Sequence, residues 1–251
     1  MKQRIELGGV QQLEVELGLI WPVSYWLDAD EHTCRIYSDP AGRTHEVILA
    51  AYAVEDLNGS GLIDLVHELC HAFLVEHVDP AFGTAFFSKE YAYLEGQSEK
   101  DFAVKYYMFY LAWCHVDIWV DDVRHAHWPE LTQADSDSFV ASVYGLVKAG
   151  QWQALKSSEA LLGIALHMAE TERHGLEKAS VLEEVVKCLS NQAQAIIAAA
   201  LGVYRNLPPL TMSREQDLVV LEQSVKDMAE VLSLSISPRL EEEEGRMVWH
   251  V

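Results

Sequence analysis

Basic residues are scarce in this chain. Lys and Arg number 18 against 39 Asp and Glu, which leaves a net charge of −21 at pH 7. The densest basic stretch, Arg124 to His127, is itself flanked by Asp121 and Asp122. A surface of that sign repels phosphate backbones and anionic headgroups, so neither nucleic acid nor a membrane is expected as a partner. Long apolar runs are missing too: each is broken by charge well before the ~20 residues that a bilayer span needs. The four cysteines (Cys34, Cys70, Cys114, Cys188) lie far apart and form no CxxC, and no apolar leader follows Met1-Lys2-Gln3-Arg4. Reduced thiols and a cytoplasmic location are the expectation. There is no internal repeat, and the only low-complexity run is Glu241 to Glu244.

Apolar material, by contrast, is plentiful. Half of the 251 residues are hydrophobic, with 7 Trp, 10 Tyr and 7 Phe, enough for a substantial core and incompatible with wholesale disorder. Residues 1 to about 57 read as β-rich. Leu13 to Ile20 alternates apolar and polar residues as a half-buried strand does, and Cys34–Tyr37 and His45–Tyr52 flank an Asp-Pro/Gly turn that predicts a hairpin. Asn58-Gly59-Ser60-Gly61 breaks the pattern and opens a helix over about 61–77, which ends by Asp79-Pro80. A long helix over about 88–125 follows, then four more near 134–149, 152–172, 176–205 and 213–234. The expected fold is α+β: a β-rich N-terminal segment with one prominent helix, then a mainly helical bundle. The expected division is residues 1–130 and 131–251.

His67-Glu68-Leu69-Cys70-His71 is a HExxH motif on the helix predicted for 61–77. Histidines at i and i+4 leave one face a turn apart and can share a Zn²⁺ ion, while the intervening glutamate can act as general base towards a water that the metal activates. At about 100° per residue, Asp64, Glu68 and His71 share one arc with His67. The apolar residues Leu62, Ile63, Val66, Leu69, Cys70, Phe73 and Leu74 all fall outside that arc. The helix is expected to bury its back and present both histidines into a cleft.

With that motif on its helix, the segment from about 40 to 125 resembles the zincin metallopeptidases, gluzincin-like in character. The resemblance implies a zincin-like domain over residues 1–130, one Zn²⁺ held by His67, His71 and a third protein ligand, and hydrolysis of a peptide bond with Glu68 as general base. Tyr93-Leu94-Glu95-Gly96-Gln97-Ser98-Glu99 is similar to the gluzincin pattern around the third ligand, so Glu95 is the expected choice. Gln97-Ser98 departs from that pattern, which tends to be apolar and then small. Three alternatives stay open. Glu90 has a common gluzincin separation from His71. His77 has the metzincin spacing, but Leu74 stands where that motif needs glycine. Asp117 lies in an Asp-rich helical stretch similar to one found downstream of HExxH in some bacterial metallopeptidases.

Asp117 and Glu95 are about 33 Å apart along an unbroken helix, so both cannot hold one ion. With Glu95 as ligand, Asp117 is expected several turns away, as a partner for Arg124 or a polar group of the helical half. His115, Asp121, His125 and His127 are read as outer-layer or structural. The aromatic positions Phe102, Tyr106, Phe109, Tyr110 and Trp113 are read as core, with one tyrosine of the region able to stabilise an oxyanion. A peptide or protein is the expected substrate. The competing expectation is an inactive zincin-like scaffold that binds or regulates, with the C-terminal helices available for a protein partner or self-association.

Overall fold

The computed structural model describes residues 2–82, 99–155, 157–177, 179–234, 236–243 and 246–250, with the side chains of 99–110, 113, 179 and 246 set aside. The architecture is α+β, as expected: a small mixed sheet at the N-terminal end and helices thereafter. The sheet holds β1 (Lys2–Ile5), β2 (Val23–Asp28), β3 (Arg35–Asp39) and β4 (Thr44–Leu49), ordered β1-β2-β4-β3. β2 and β4 run parallel, while β1 and β3 are antiparallel edge strands. The predicted hairpin is β3–β4. Its turn closes where Asp39 Oδ1 accepts from the Ala41 N–H at 3.0 Å and Arg43 adopts a positive φ of 49°.

The strand expected over Leu13–Ile20 is instead part of a helix, α1 (Val10–Leu17). Both periods were present in the sequence. Val10, Leu13 and Leu17 recur at helical spacing and face the core, whereas Val15, which an alternating strand would bury, is 77% exposed. Gly9 and Gly18 bracket the helix with φ of 83° and 74°, backbone that residues with a Cβ resist. β2, the inner strand that the sequence reading left unassigned, follows Trp21-Pro22.

After β4, a short helix α2 (Ala51–Glu55) leads into α3 (Ser60–His77), the predicted motif helix. The two helices meet at Gly61, where a Cβ would stand 2.1 Å from the Ala53 carbonyl oxygen; only glycine allows that approach. α3 ends before Asp79 and passes into a 3₁₀ turn, Pro80–Phe82. Its burial exceeds the expected apolar back: Leu65, Leu69, His71 and Leu74 are all fully buried, and Glu68 is 6% exposed. The arc that carries the motif is not sealed, since the His67 side chain stays 23% exposed.

The later helices are α4 (Glu99–His127), α5 (Pro129–Lys148), α6 (Ser158–His174), α7 (Ala179–Lys187), α8 (Asn191–Arg205) and α9 (Arg214–Val231). α5 starts at its proline, which is tolerated at the first helical position because no intrahelical partner waits for its missing N–H. The single helix expected over 176–205 is two, divided at Ser190, whose side chain caps α8 through the Ala193 N–H at 3.3 Å. A terminal hairpin, β5 (Arg239–Glu243) and β6 (Arg246–His250), was not anticipated. It buries Val248 and Trp249 and packs on the Pro80–Phe82 turn.

One apolar core runs from Val47 and Leu49 through Leu65 and Leu69 to Leu162, Ile197 and Leu221. Among the described residues no helix is long and apolar enough to cross a membrane, and none of the four cysteines is in a disulfide.

Candidate metal centre

The HExxH residues occupy the middle of α3, where α4 crosses them. Their i, i+4 spacing sets the His67 and His71 rings 4.9 Å apart, edge to face. Asp117, from the C-terminal half of α4, points between them. Its Oδ1 lies 3.3 Å from His71 Nε2 and 3.6 Å from His67 Nε2. Among the described residues, these three form the one group of His, Cys, Asp or Glu side chains whose ligand atoms gather closely enough for an ion, all within 4.8 Å of one another.

The donor set suits zinc. Four ligands at about 2.0–2.1 Å in a tetrahedron stand about 3.3–3.4 Å from one another, close to the two distances that Asp117 makes here. Three protein donors leave a fourth position for water or substrate. Glu68 is nearly fully buried, and its Oε2 has no hydrogen-bond partner among the described residues. A carboxylate oxygen without a partner beside two imidazoles is expensive unless something polar joins it, and a water between it and the ion would do so.

Each histidine is also held from behind. His71 Nδ1 donates to the Phe82 carbonyl oxygen at 3.1 Å, which leaves Nε2 for a metal. His67 Nδ1 faces Asp121 Oδ1 at 3.6 Å. A carboxylate or carbonyl behind a ligand histidine fixes its tautomer and ring orientation. Behind Asp121 stands Arg124, 1% exposed, whose Nη2 lies 2.8 Å from Asp121 Oδ1 and 2.7 Å from Asp135 Oδ2 of α5.

Charge is distributed accordingly. Burial works against a charged His67, but Asp117 and Asp121 outweigh it and hold its pKa well above the ordinary value. Burial also opposes ionisation of Asp117, which the two imidazoles overcome, and of Asp121, which Arg124 overcomes; both carboxyls are shifted down. Glu68 is shifted up by burial, with the two histidines pulling the other way.

Of the expected site residues, His67, Glu68 and His71 come together, and Asp117 joins them rather than standing several turns away. Arg124, named as a possible partner for Asp117, pairs with Asp121 and Asp135 instead. Glu95 and Glu90 lie outside the described residues. The side chains of Phe102, Tyr106, Phe109, Tyr110 and Trp113 are outside them as well. His77 is exposed at the end of α3, with Nε2 3.3 Å from the Gly18 carbonyl oxygen and its ring on Phe73, and does not enter the site.

His115 donates to the Leu111 carbonyl oxygen at 2.6 Å, and burial pushes its pKa down to about 4. His125 stacks on His174, and the His127 ring meets Trp128 at a tilt. The sequence reading missed Glu170 and Asp135. Neither belongs to a motif, and the only signal available was a charged residue on the apolar face of its helix.

Comparison with known proteins adds no relative: no family model, no curated protein and no solved structure matches this chain.

Proposed function

We propose that this protein is a zinc-dependent metallopeptidase. The observation that carries the reading is the convergence of His67 Nε2, His71 Nε2 and Asp117 Oδ1 within 4.8 Å, with the Glu68 carboxyl beside them. A divalent ion held there would supply Lewis acidity towards a water and a carbonyl oxygen. Asp117 brings a negative charge that partly offsets the ion and leaves one position open. Glu68 takes the proton of the attacking water and passes it to the leaving amine. Asp121 and the Phe82 carbonyl keep both imidazoles turned so that Nε2 faces inward. β3, an edge strand packed against α3, has no strand paired to its outer side among the described residues and would serve as a template for an extended peptide. The strongly acidic surface favours neutral or basic segments.

The enclosure of His71 and Glu68 favours one second reading, in which the ion is structural and the fold serves as a binding scaffold. Zn²⁺-loaded protein assayed on an unstructured peptide mixture separates the two. Cleavage by wild type that disappears in Glu68→Gln, with zinc retained, supports the peptidase. Zinc retained by both proteins without cleavage supports the scaffold.

A further inference from the structure

The helices after residue 130 make contacts that the reaction just described does not use, and they converge on the two groups behind the ligand histidines. Behind His67, Asp121 lies against Arg124 of its own helix at 2.8 Å and feels the buried carboxyl of Glu170 on α6. Arg124 is anchored in turn by Asp135 of α5 at 2.7 Å. Glu170 is buried, and His167 Nδ1 lies 3.0 Å from its Oε2. Burial, reinforced by the negative charge of Asp121, raises the pKa of the Glu170 carboxyl against the pull of His167. Behind His71, the Phe82 carbonyl is set by the Pro80–Phe82 turn. Asp79 closes that turn by accepting the Ala81 N–H on Oδ1 at 2.8 Å and the Phe82 N–H on its main-chain oxygen at 3.0 Å. The other oxygen of Asp79, Oδ2, takes Arg214 Nε of α9 at 2.5 Å.

We propose that the C-terminal helical half is the outer scaffold of the metal centre, with Glu170 positioning Asp121 behind His67 and Arg214 positioning the Asp79–Phe82 turn behind His71. The inference rests on the metal-centre reading and extends it. Glu170, Asp135 and Arg214 are positioning residues that act through Asp121 and Phe82. On this account the helical half sets how tightly and in what geometry the ion is held. Partners that orient ligand histidines typically contribute 10–100-fold in metal affinity, and residues one layer further out belong at the lower end.

Full-length protein stripped of metal and titrated with Co²⁺, read by d–d absorption, tests this. Wild type is expected to bind one Co²⁺ with a four-coordinate spectrum. Glu170→Leu and Arg214→Ala are each expected to bind about 10-fold more weakly with a perturbed spectrum, while the far-UV circular dichroism of the metal-free protein stays unchanged. Glu170→Gln, which keeps the shape and offers Asp121 an amide N–H, should return towards wild type, a rescue that a simple packing role would not require. Wild-type affinity and spectrum in both Glu170→Leu and Arg214→Ala would overturn the inference while leaving the metal centre intact. No Co²⁺ uptake by wild type would overturn both. Arg214 is 48% exposed at its side chain, so its replacement leaves the core untouched. Should Glu170→Leu fail to fold, the Arg214→Ala affinity decides alone, weaker binding supporting the inference and wild-type binding rejecting it.

Discussion

Asp117 Oδ1 stands 3.3 Å from His71 Nε2, although the two residues are 46 positions apart in the chain. That pairing sets a carboxylate from the C-terminal half of α4 beside the HExxH turn, the third donor that the proposed centre needs. Asp117→Asn, nearly the same shape but without the charge, is expected to weaken zinc by at least about 100-fold, beyond the usual range for an outer-layer partner. Glu95→Gln is expected to leave affinity within a few-fold. Competition with a chromophoric chelator measures both, and the reverse order would return Glu95 to the ligand set.

Glu68→Gln is expected to keep one zinc per chain and to lower turnover by roughly 10²–10⁴-fold, the range for a positioned general base. Loss of the metal in that variant would make Glu68 a ligand and remove it from the proton-transfer role.

How much of this was legible in the sequence depends on range. The α3 helix, its two histidines and the β3–β4 hairpin follow from residues within a few positions of one another, and local spacing suffices for them. Asp117 did not follow, because its role depends on which turn of α4 docks against α3. Pro80 and Gly83 in the connection from Asp79 to Phe87 favour an antiparallel return that would set residues 90 to 95 level with the histidines. α1 was misread because Leu13-Glu14-Val15-Glu16-Leu17 fits both periods, and only Val10 and the flanking glycines tip it to a helix. β2 and the C-terminal hairpin depend on pairing partners, and charge on Glu241 to Glu243 hid the last strands.

Gly61→Ala is expected to destabilise the fold by about 1–3 kcal/mol or more, the scale of overpacking in a core. Its new methyl would meet the Ala53 main chain, with the carbonyl oxygen at 2.1 Å and Cα at 2.6 Å, and the backbone cannot swing aside as a flexible side chain would. Urea unfolding of the metal-free variant checks this. A midpoint equal to wild type would show that α2 relaxes without cost.

His45 gives stability a pH dependence. It is fully buried between Ser38 Oγ, 2.8 Å from Nδ1, and Glu76 Oε1, 3.0 Å from Nε2. Burial lowers its pKa against the pull of Glu76. The unfolded chain takes up a proton near the ordinary histidine value of about 6.5, whereas folded His45 stays neutral to lower pH. Its contribution is therefore complete above about pH 6.5 and is lost as pH falls towards the folded value. Urea midpoints between pH 7.5 and 5.5 should fall more steeply for wild type than for His45→Gln, which keeps an N–H for Glu76 but does not titrate. Parallel slopes would assign the pH dependence to other groups.

The central claim is an ion bound by His67, His71 and Asp117. X-ray absorption at the zinc edge on the purified, zinc-loaded protein tests it most directly, with metal content determined on the same sample. The account predicts about one zinc per chain in a four-coordinate N/O shell, with two imidazole nitrogens near 2.0–2.1 Å and oxygen at about 2.0–2.2 Å. His71→Ala and Asp117→Asn should each lose stoichiometric zinc. A wild-type protein without bound zinc, or a shell unchanged in both variants, would contradict it.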